Sequence, residues 1–257
     1  MKIEQVAAQL YTLREFMKTP PEIEASLKKV KAIGYQAVQL SALGPIPEKD
    51  LAKILSDLEL TCCVTHEPGE KLLNEPEKII ERLSILNCKI TGYPHPSGVS
   101  FNTLDDVKQF ARKLNQAGKV FRKAGVTLVY HNHHIEFRRF GDKTILEILY
   151  EETDPENLQG LLDTYWAQYG GGDPVAWCRK MKNRLPAIHL KDYVINEENK
   201  PEFAEIGQGN LDWKSIIKAA EDSGCLWYCV EQDICRRDPF ESMKMSFNYI
   251  KENLTCI

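Results

Sequence analysis

The sequence lacks the short motifs of several common catalytic and redox classes. It contains no GxSxG, GxxxxGK[ST] or HExxH motif, and no GxGxxG follows an apolar run. These absences argue against a serine hydrolase of the α/β type, a P-loop NTPase, a metalloprotease and a dinucleotide-dependent dehydrogenase. None of the eight cysteines forms a CxxC pair, and Cys62 and Cys63 are adjacent. We therefore predict free thiols in a reducing compartment, with Cys62 and Cys63 on opposite faces of a strand.

Blocks of basic charge and long apolar runs are also missing. No run of lysine and arginine exceeds two residues, the net charge is −4, and no apolar run approaches the length of a membrane span. This pattern weighs against a nucleic-acid partner and against a membrane anchor. The first residues, MKIEQVAAQLYTL, are too short and too soon acidic for a signal peptide. The expected location is the cytoplasm, although a signal peptide removed beforehand would leave the same sequence, and homo-oligomerisation stays open.

Eight apolar runs of strand length alternate with longer segments whose apolar residues recur with the helical period. The runs are Val6–Tyr11, Tyr35–Leu40, Thr61–His66, Lys89–Tyr93, Val126–His133, Leu158–Asp163, Leu185–Asp192 and Leu226–Glu231. The helical segments are Ile23–Ile33, Glu48–Leu58, Pro76–Leu86, Val107–Phe121, Val175–Met181, Ile216–Ala220 and Pro239–Ile250. Eight alternating repeats predict an α/β fold, a closed (β/α)₈ TIM barrel, with residues 1–257 as a single domain. The stretch Tyr193–Asn210 is expected to be a long irregular loop at the barrel mouth.

The last four apolar runs each end on a residue that can bind metal or transfer a proton. In a (β/α)₈ barrel the C-terminal ends of the strands meet at one mouth, where the active site lies. We therefore expect Asp163, His189, Glu231 and either His131 or His133 to converge there. Imidazoles and carboxylates in that mixture suit one divalent metal ion.

Strand alternation places His131, His133 and Val129 on one face of the fifth run. If Val129 faces the barrel interior, both histidines reach the rim, one as a ligand and the other as a base or substrate contact. Lys191 shares a face with His189, and we expect its ammonium to hold a substrate oxygen.

Asp163 has two readings, a metal ligand or the N-cap of a following helix. Asp173 followed by Pro174 is a better helix start. We therefore interpret Asp163 as a ligand that does not cap a helix.

Glu231 ends an apolar run, where burial of a carboxylate is costly unless it is paired or metal-bound. The alternative partner of Glu231 is Arg236 or Arg237, in an ion pair.

Further polar and aromatic residues are expected to contact substrate. His66 and His95 end the third and fourth runs, Glu136 follows the fifth, and Trp166 follows the sixth. Each also has an ordinary structural interpretation, as loop solvation or rim packing.

These segments together resemble the xylose isomerase-like TIM-barrel superfamily, which includes sugar (phosphate) isomerases and epimerases, inosose dehydratase and endonuclease IV. The resemblance rests on GVTLVYHNH at 125–133, LLDT at 161–164, IHLKD at 188–192, EIGQGNLDW at 205–213 and VEQD at 230–233. It covers essentially the whole chain and is specific to the superfamily rather than to one reaction.

The resemblance implies one divalent metal ion, Mn²⁺, Mg²⁺, Co²⁺ or Zn²⁺, bound at the ends of strands five to eight. The family's epimerases use Glu, Asp, His and Glu; the last three correspond to Asp163, His189 and Glu231, and His131 stands in place of the first glutamate. In those epimerases the two glutamates also exchange the proton on opposite faces of the sugar carbon, so this chain departs from the two-glutamate pattern.

Three functions follow from the resemblance, in order of preference. The first is a sugar isomerase or epimerase that removes a proton next to a carbonyl, with Glu231, His131 or His133 as base and Lys191 assisting. The second is a metal-dependent lyase or dehydratase acting on a keto-sugar, a 3-keto-glycoside or an inosose. The third is a sugar-binding barrel without catalytic activity. An endonuclease is the least expected, since the chain is net acidic.

Overall fold

The computed structural model describes residues 1–255 and contains a closed barrel of eight parallel strands. The barrel strands are β1 (Val6–Gln9), β2 (Ala37–Leu40), β3 (Thr61–His66), β4 (Ile90–Tyr93), β5 (Thr127–His131), β8 (Gln159–Asp163), β9 (Ala187–Leu190) and β12 (Trp227–Val230). Their order around the ring is β1-β12-β9-β8-β5-β4-β3-β2, so sequence neighbours are spatial neighbours throughout. The prediction of a (β/α)₈ barrel from eight apolar runs is confirmed.

Helices surround the ring and pack against its outer face. They are α1 (Pro20–Ile33), α2 (Glu48–Asp57), α3 (Gly69–Asn74), α4 (Pro76–Ile85), α5 (Leu104–Lys123), α6 (Ile145–Glu151), α7 (Thr164–Tyr169), α8 (Pro174–Lys180), α9 (Trp213–Asp222) and α10 (Pro239–Asn253). Short 3₁₀ turns occupy Ile3–Gln5, Leu10–Phe16 and Ile135–Phe137. The side chains of Thr103 and Asp212 cap α5 and α9 by accepting hydrogen bonds from the amides of Asp106 and Ser215.

The inward face of the barrel has an apolar floor and a polar upper layer. The floor contains Ala7, Ala37, Cys63, Val64, Ile90, Val129, Leu161, Ala187 and Cys229. Because strand side chains alternate between faces, the inward residues two positions further along belong to the upper layer. On the last four barrel strands these residues are His131, Asp163, His189 and Glu231, as the alternation argument predicts.

The register between β2 and β3 shifts by one residue between Val38 and Gln39. Cys62 packs on the outer side of the barrel and Cys63 in its floor, so the predicted opposite orientation of these thiols is confirmed. Beyond the shift, Val64 also lies in the floor, and its alternation partner His66 points toward the mouth. The irregularity therefore re-aims the end of β3, a common role of β-bulges near functional sites.

The stretch Tyr193–Asn210 is not irregular as expected. It contains most of an antiparallel hairpin of β10 (Asp192–Ile195) and β11 (Pro201–Ala204). A second hairpin, β6 (Arg139–Phe140) with β7 (Lys143–Thr144), lies in the loop after β5. The carboxylate of Asp192 anchors the larger loop by accepting hydrogen bonds from the amides of Gly207 and Gly209 and from the indole of Trp213.

The seven cysteines within residues 1–255 are free thiols, as predicted, and Cys256 lies outside the described residues. In the same part of the chain no helix combines the length and apolarity that a bilayer crossing needs.

Candidate metal centre and substrate cavity

Four side chains from four strands converge at the barrel mouth. His131, Asp163, His189 and Glu231 each place one nitrogen or oxygen within 4.8 Å of the others, and all four residues are buried. Asp163 Oδ2 lies 3.2 Å from His131 Nε2 and 3.6 Å from His189 Nδ1, while Glu231 Oε2 lies 2.8 Å from His189 Nδ1. Tetrahedral ligands at about 2.0–2.2 Å from a zinc ion are separated by roughly 3.3–3.6 Å. The two Asp163 spacings are close to this range, whereas His189 Nδ1 and Glu231 Oε2 lie nearer to each other.

Hydrogen bonds behind the two imidazoles fix which ring nitrogen faces the cluster. His131 Nδ1 lies 2.9 Å from the carbonyl oxygen of Pro94, and His189 Nε2 lies 2.8 Å from Oε1 of Gln39. Both partners are acceptors, so each of these nitrogens carries the hydrogen. In the neutral form each ring presents the lone pair of its other nitrogen, His131 Nε2 or His189 Nδ1, to the carboxylates. Burial would lower the pKa of His189, but Glu231 and Asp163 raise it, so these carboxylates favour its protonated form until a cation takes the place of the proton. Such a polar contact behind the ring is the usual way in which proteins orient metal-binding histidines.

The donor set fits a divalent ion. His189 Nδ1 and Glu231 Oε2 are buried and have no hydrogen-bond partner in suitable geometry, although they lie close together. Buried polar atoms are rarely left unpaired, and two facing lone pairs are stabilised by a cation between them. The nitrogen and oxygen donors are those used for zinc and related ions. Of the two candidates for the fourth ligand, His131 is the one in this cluster.

The Asp163 carboxylate both caps a helix and faces the histidines of the cluster. Its Oδ1 accepts a hydrogen bond from the amide of Trp166 and caps α7, while its Oδ2 faces His131 and His189. The expectation that Asp163 is free of capping duty was wrong because α7 begins directly after β8, ahead of the helix that Asp173 caps. A carboxylate has two oxygens, so one group serves both.

Lys191 lies at the centre of the carboxylates and is only 2% exposed. Its Nζ lies 3.0 Å from Asp163 Oδ2, 2.9 Å from Glu231 Oε2 and 2.9 Å from Asp233 Oδ1. Burial alone would lower the pKa of Lys191, but these three carboxylates raise it well above its usual value. The ammonium is therefore permanently charged and lies at the inner wall of the cavity.

The carboxylates respond to that charge in different ways. Burial would raise the pKa of Glu231, yet Lys191 and His189 hold it below its usual range. Burial raises the pKa of Asp233 to about 6, with Lys191 opposing and Glu231 reinforcing the shift. Glu231 is thus a stable anion, whereas Asp233 is a carboxyl group that exchanges its proton near neutral pH.

A cavity of about 480 Å³ opens above the cluster, within the usual size range of small-molecule sites. Its walls carry most of the predicted substrate contacts, together with several unpredicted side chains. The residues lining it include His66, His95, His131, His133, Trp166, Lys191, Glu231 and Asp233, and also Gln9, Tyr11, Arg14 and Ser41. Most of the residues that line the cavity therefore carry a group that can exchange hydrogen bonds with hydroxyls.

His133, like His66, lines the cavity with a ring nitrogen that has no hydrogen-bond partner. Its ring lies 4.7 Å from that of His131 and 4.4 Å from that of His95, and its Nδ1 has no hydrogen-bond partner. Burial, reinforced by the charge of neighbouring groups, lowers the pKa of His133, which keeps the ring neutral. A neutral imidazole with an unpartnered nitrogen is thus available beside the cluster.

Glu136 lies beneath the loop rather than on the cavity wall. It is fully buried, and its two oxygens accept hydrogen bonds from the Tyr130 hydroxyl at 2.6 Å and the His133 amide at 2.8 Å. The oxygens of Glu136 are therefore occupied by the protein, and Glu136 supports the backbone that carries His133.

Arg236 and Arg237, the alternative ion-pair partners of Glu231, form ion pairs elsewhere: Arg236 pairs with Glu202 and Arg237 with Glu205.

A comparison with known families decides the classification. A family model described as xylose isomerase-like TIM barrel matches residues 27–252. The chain belongs to this family. Within it, His131 stands in the ligand cluster at the position where the resemblance places a glutamate in the epimerases.

Curated relatives and solved structures in this family are enzymes. The chain is 32% identical to an inosose dehydratase from Clostridium tetani over 169 residues, which cover 58% of this chain and 55% of that protein. It thus spans about half the length of that relative. An inosose dehydratase from Lactiplantibacillus plantarum is 23% identical, with 90% of this chain and 89% of that protein covered. A sugar phosphate isomerase/epimerase from Parabacteroides distasonis superposes with a TM-score of 0.81 at 25% identity, covering 99% of this chain and 96% of the other.

Among the polar residues that were not predicted, three contact the cluster or Lys191 directly. Gln9 Nε2 donates to Glu231 Oε1 at 3.0 Å, Gln39 supports His189, and Asp233 contacts Lys191. Gln9 and Gln39 occupy the inward positions near the ends of β1 and β2, so the strand-end rule that identified the ligands applies to them too. They were passed over because an amide is neither a common ligand nor a base.

Proposed function

We propose that this protein is a metal-dependent dehydratase acting on a cyclic polyhydroxylated ketone, of the keto-sugar or inosose class. The observation that carries the proposal is the neutral, unpartnered imidazole of His133 beside a cluster in which the only ligand glutamate is already engaged. His133 then offers the cavity a free imidazole, as His66 does through its own unpartnered Nε2, and elimination of water requires only one base.

The four ligands fit a divalent ion, and such an ion would polarise the substrate carbonyl and stabilise negative charge that develops on its oxygen. His131, Asp163, His189 and Glu231 hold it. Lys191 adds a fixed positive charge at the same wall. Trp166 offers an aromatic face for the sugar ring and a buried indole N–H without a protein partner.

His133 takes the proton from the carbon next to the carbonyl. Its Nδ1 has no protein partner, so a lone pair is available without loss of an existing hydrogen bond. Burial lowers the pKa of the ring, which keeps it neutral and also makes it a weaker base than a free imidazole. Glu231 is less suited, because Gln9 occupies one oxygen and Lys191 and His189 surround the other. This is why elimination takes precedence here over the isomerase or epimerase that the sequence favours.

Asp233 protonates the departing hydroxyl. Its pKa near 6 leaves a fraction of the carboxyl groups protonated at neutral pH, and it lines the cavity. β5 and β12 are three places apart in the ring, so His133 and Asp233 approach from different sides. The C–H electrons form the new carbon–carbon double bond, the C–O bond breaks, and water leaves with the Asp233 proton.

A sugar isomerase or epimerase is the second candidate. It is supported by the similarity to the Parabacteroides distasonis protein and by the position of the Glu231 carboxylate at the cavity. In that case His133 and Glu231 serve opposite faces of one carbon, and no leaving group departs. A sugar-binding barrel without activity is the third candidate.

The test is a panel of inososes, keto-sugars and 3-keto-glycosides incubated with metal-replete enzyme in deuterated water and followed by proton NMR. A dehydratase produces a conjugated carbonyl product and releases water. An epimerase or isomerase instead gives deuterium at the exchanged carbon in an isomeric product. Absence of both exchange and elimination on every compound would contradict catalysis and favour the binding protein.

His133→Gln is the informative variant, with His134→Gln as its control. His134 stacks on Trp166 and Tyr169 but does not line the cavity. We expect His133→Gln to retain bound metal and to lose exchange and elimination, whereas His134→Gln retains both. Wild-type turnover in His133→Gln would rule out His133 as the base.

A further inference from the structure

Gln39 is a fully buried amide at the inner face of β2, with no charge and no cavity contact. Its Oε1 lies 2.8 Å from His189 Nε2, although the two residues are 150 positions apart in the sequence. Its Nε2 has no hydrogen-bond partner among the described residues. A buried amide that leaves its own donor unpaired so that its oxygen meets a histidine is costly, and this cost calls for a functional explanation.

The amide oxygen decides the tautomer of His189. An amide oxygen only accepts, so the hydrogen of the neutral ring is on Nε2, and the lone pair on Nδ1 faces Asp163 and Glu231. In the other tautomer, Nδ1–H would donate toward Glu231 Oε2, 2.8 Å away, and would block coordination. The two carboxylates alone favour that other tautomer, so the preference for the lone pair must come from the opposite side of the ring.

We propose that Gln39 is a positioning residue that selects the metal-binding tautomer of His189. The inference rests on the divalent ion of the proposed function but not on which reaction the enzyme performs. It also explains the local geometry. Gln39 follows directly on the register shift between β2 and β3, and it pairs in register with Gln9, which orients Glu231 in a similar way.

His131 differs from His189 in how its tautomer is fixed. Its Nδ1 donates to the main-chain carbonyl of Pro94, which no side-chain substitution removes. Gln39 is therefore the side chain through which the orientation of a ligand imidazole can be changed without touching a ligand.

The experiment compares zinc binding by the wild-type protein, Gln39→Leu and Gln39→Glu, using competition with a chromophoric chelator. Gln39→Leu removes the acceptor at similar size, and loss of such a supporting contact weakens metal binding by about 10- to 100-fold in other sites. Gln39→Glu keeps an acceptor at the same position and should restore wild-type zinc affinity. Thr65→Val is the control, because it removes the buried Thr65–Thr91 hydrogen bond at 2.9 Å on the neighbouring strand without contacting a ligand. It should leave zinc affinity unchanged.

A second measurement does not depend on whether Gln39→Leu folds. In the zinc-loaded wild-type protein labelled with ¹⁵N, the His189 ring should show a protonated Nε2 and a metal-bound Nδ1. Zinc bound through Nε2, or wild-type affinity in a folded Gln39→Leu, overturns the inference and leaves the proposed function standing. A wild-type protein that takes up no zinc, manganese, cobalt or magnesium overturns the metal site and the inference together.

Discussion

Removal of the Lys191 ammonium tests whether the cluster is built around shared positive charge. Lys191→Met keeps the length and volume of the side chain but leaves Asp163, Glu231 and Asp233 without the cation that lies 2.9–3.0 Å from each. Breaking a buried ion pair by removing one partner costs about 3–5 kcal/mol, because the remaining charge stays buried without compensation. We expect a loss of that size in the metal-free variant.

That loss corresponds to a large shift in thermal unfolding. A protein of this size changes its melting temperature by about 2–4 °C per kcal/mol, so the metal-free variant should melt roughly 6–20 °C below wild type. A divalent ion replaces the missing charge, and a ligand at 100 times its Kd stabilises the folded state by about 2.7 kcal/mol. The variant should also bind zinc more tightly than wild type, since no ammonium repels the ion.

The assay is a thermal melt in chelator and again in excess zinc, with Lys180→Met as the matched control. Lys180 pairs with Glu147 at the surface, where its side chain is half-exposed. Surface ion pairs contribute at most about 1 kcal/mol, so this control should change little in either condition. If Lys191→Met melts in chelator at the same temperature as Lys180→Met, the ammonium does not balance the carboxylates and the reasoning fails.

Two further substitutions separate the metal cluster from the substrate cavity. Asp163→Asn keeps an oxygen that can cap α7 but removes the anionic ligand. Metal analysis should show that most of the ion is lost, while the circular dichroism spectrum stays unchanged. Asp163→Ala also removes the cap and should therefore lose about 1 kcal/mol more of folding stability, the usual value of an N-cap. Gly92→Ala would place a Cβ 2.8 Å from Cδ2 of His66, so the His66 ring must move. We expect this variant to have a higher KM than wild type and the same metal content. An unaltered KM would show that His66 does not contact substrate.

The barrel and the cluster of polar side chains at its mouth were predictable because each depends on a local pattern. Strand-length apolar runs alternate with one-faced helices, and side chains alternate along a strand. Together these place His131, His189 and Glu231 at one mouth once the ring closes. This prediction required no distances, because the C-terminal ends of all the parallel strands of a barrel lie at the same end of it.

The errors arose where one residue serves two elements or where a short element lacks a periodic signal. Asp163 ends β8 and caps α7, but α7 is only six residues long and too short to show a helical period. The strands of the β10–β11 hairpin are only four residues long and are separated by the polar segment 196–200, and the loop after the hairpin is held by hydrogen bonds to Asp192. Neither feature is visible in a search for apolar periodicity.

The roles of the acidic and basic groups depend on partners that are distant in the sequence. From its position alone, Glu231 is the natural base, because it is a carboxylate at a strand end. Closure of the barrel brings Gln9 from β1 to one of its oxygens, and Lys191 and His189 from the adjacent strand β9 and its C-terminal end to the other. A carboxylate held by these contacts is better suited to bind a cation than to accept a proton. In the proposed elimination the base is therefore His133, whose Nδ1 has no hydrogen-bond partner and whose main-chain amide is held by Glu136.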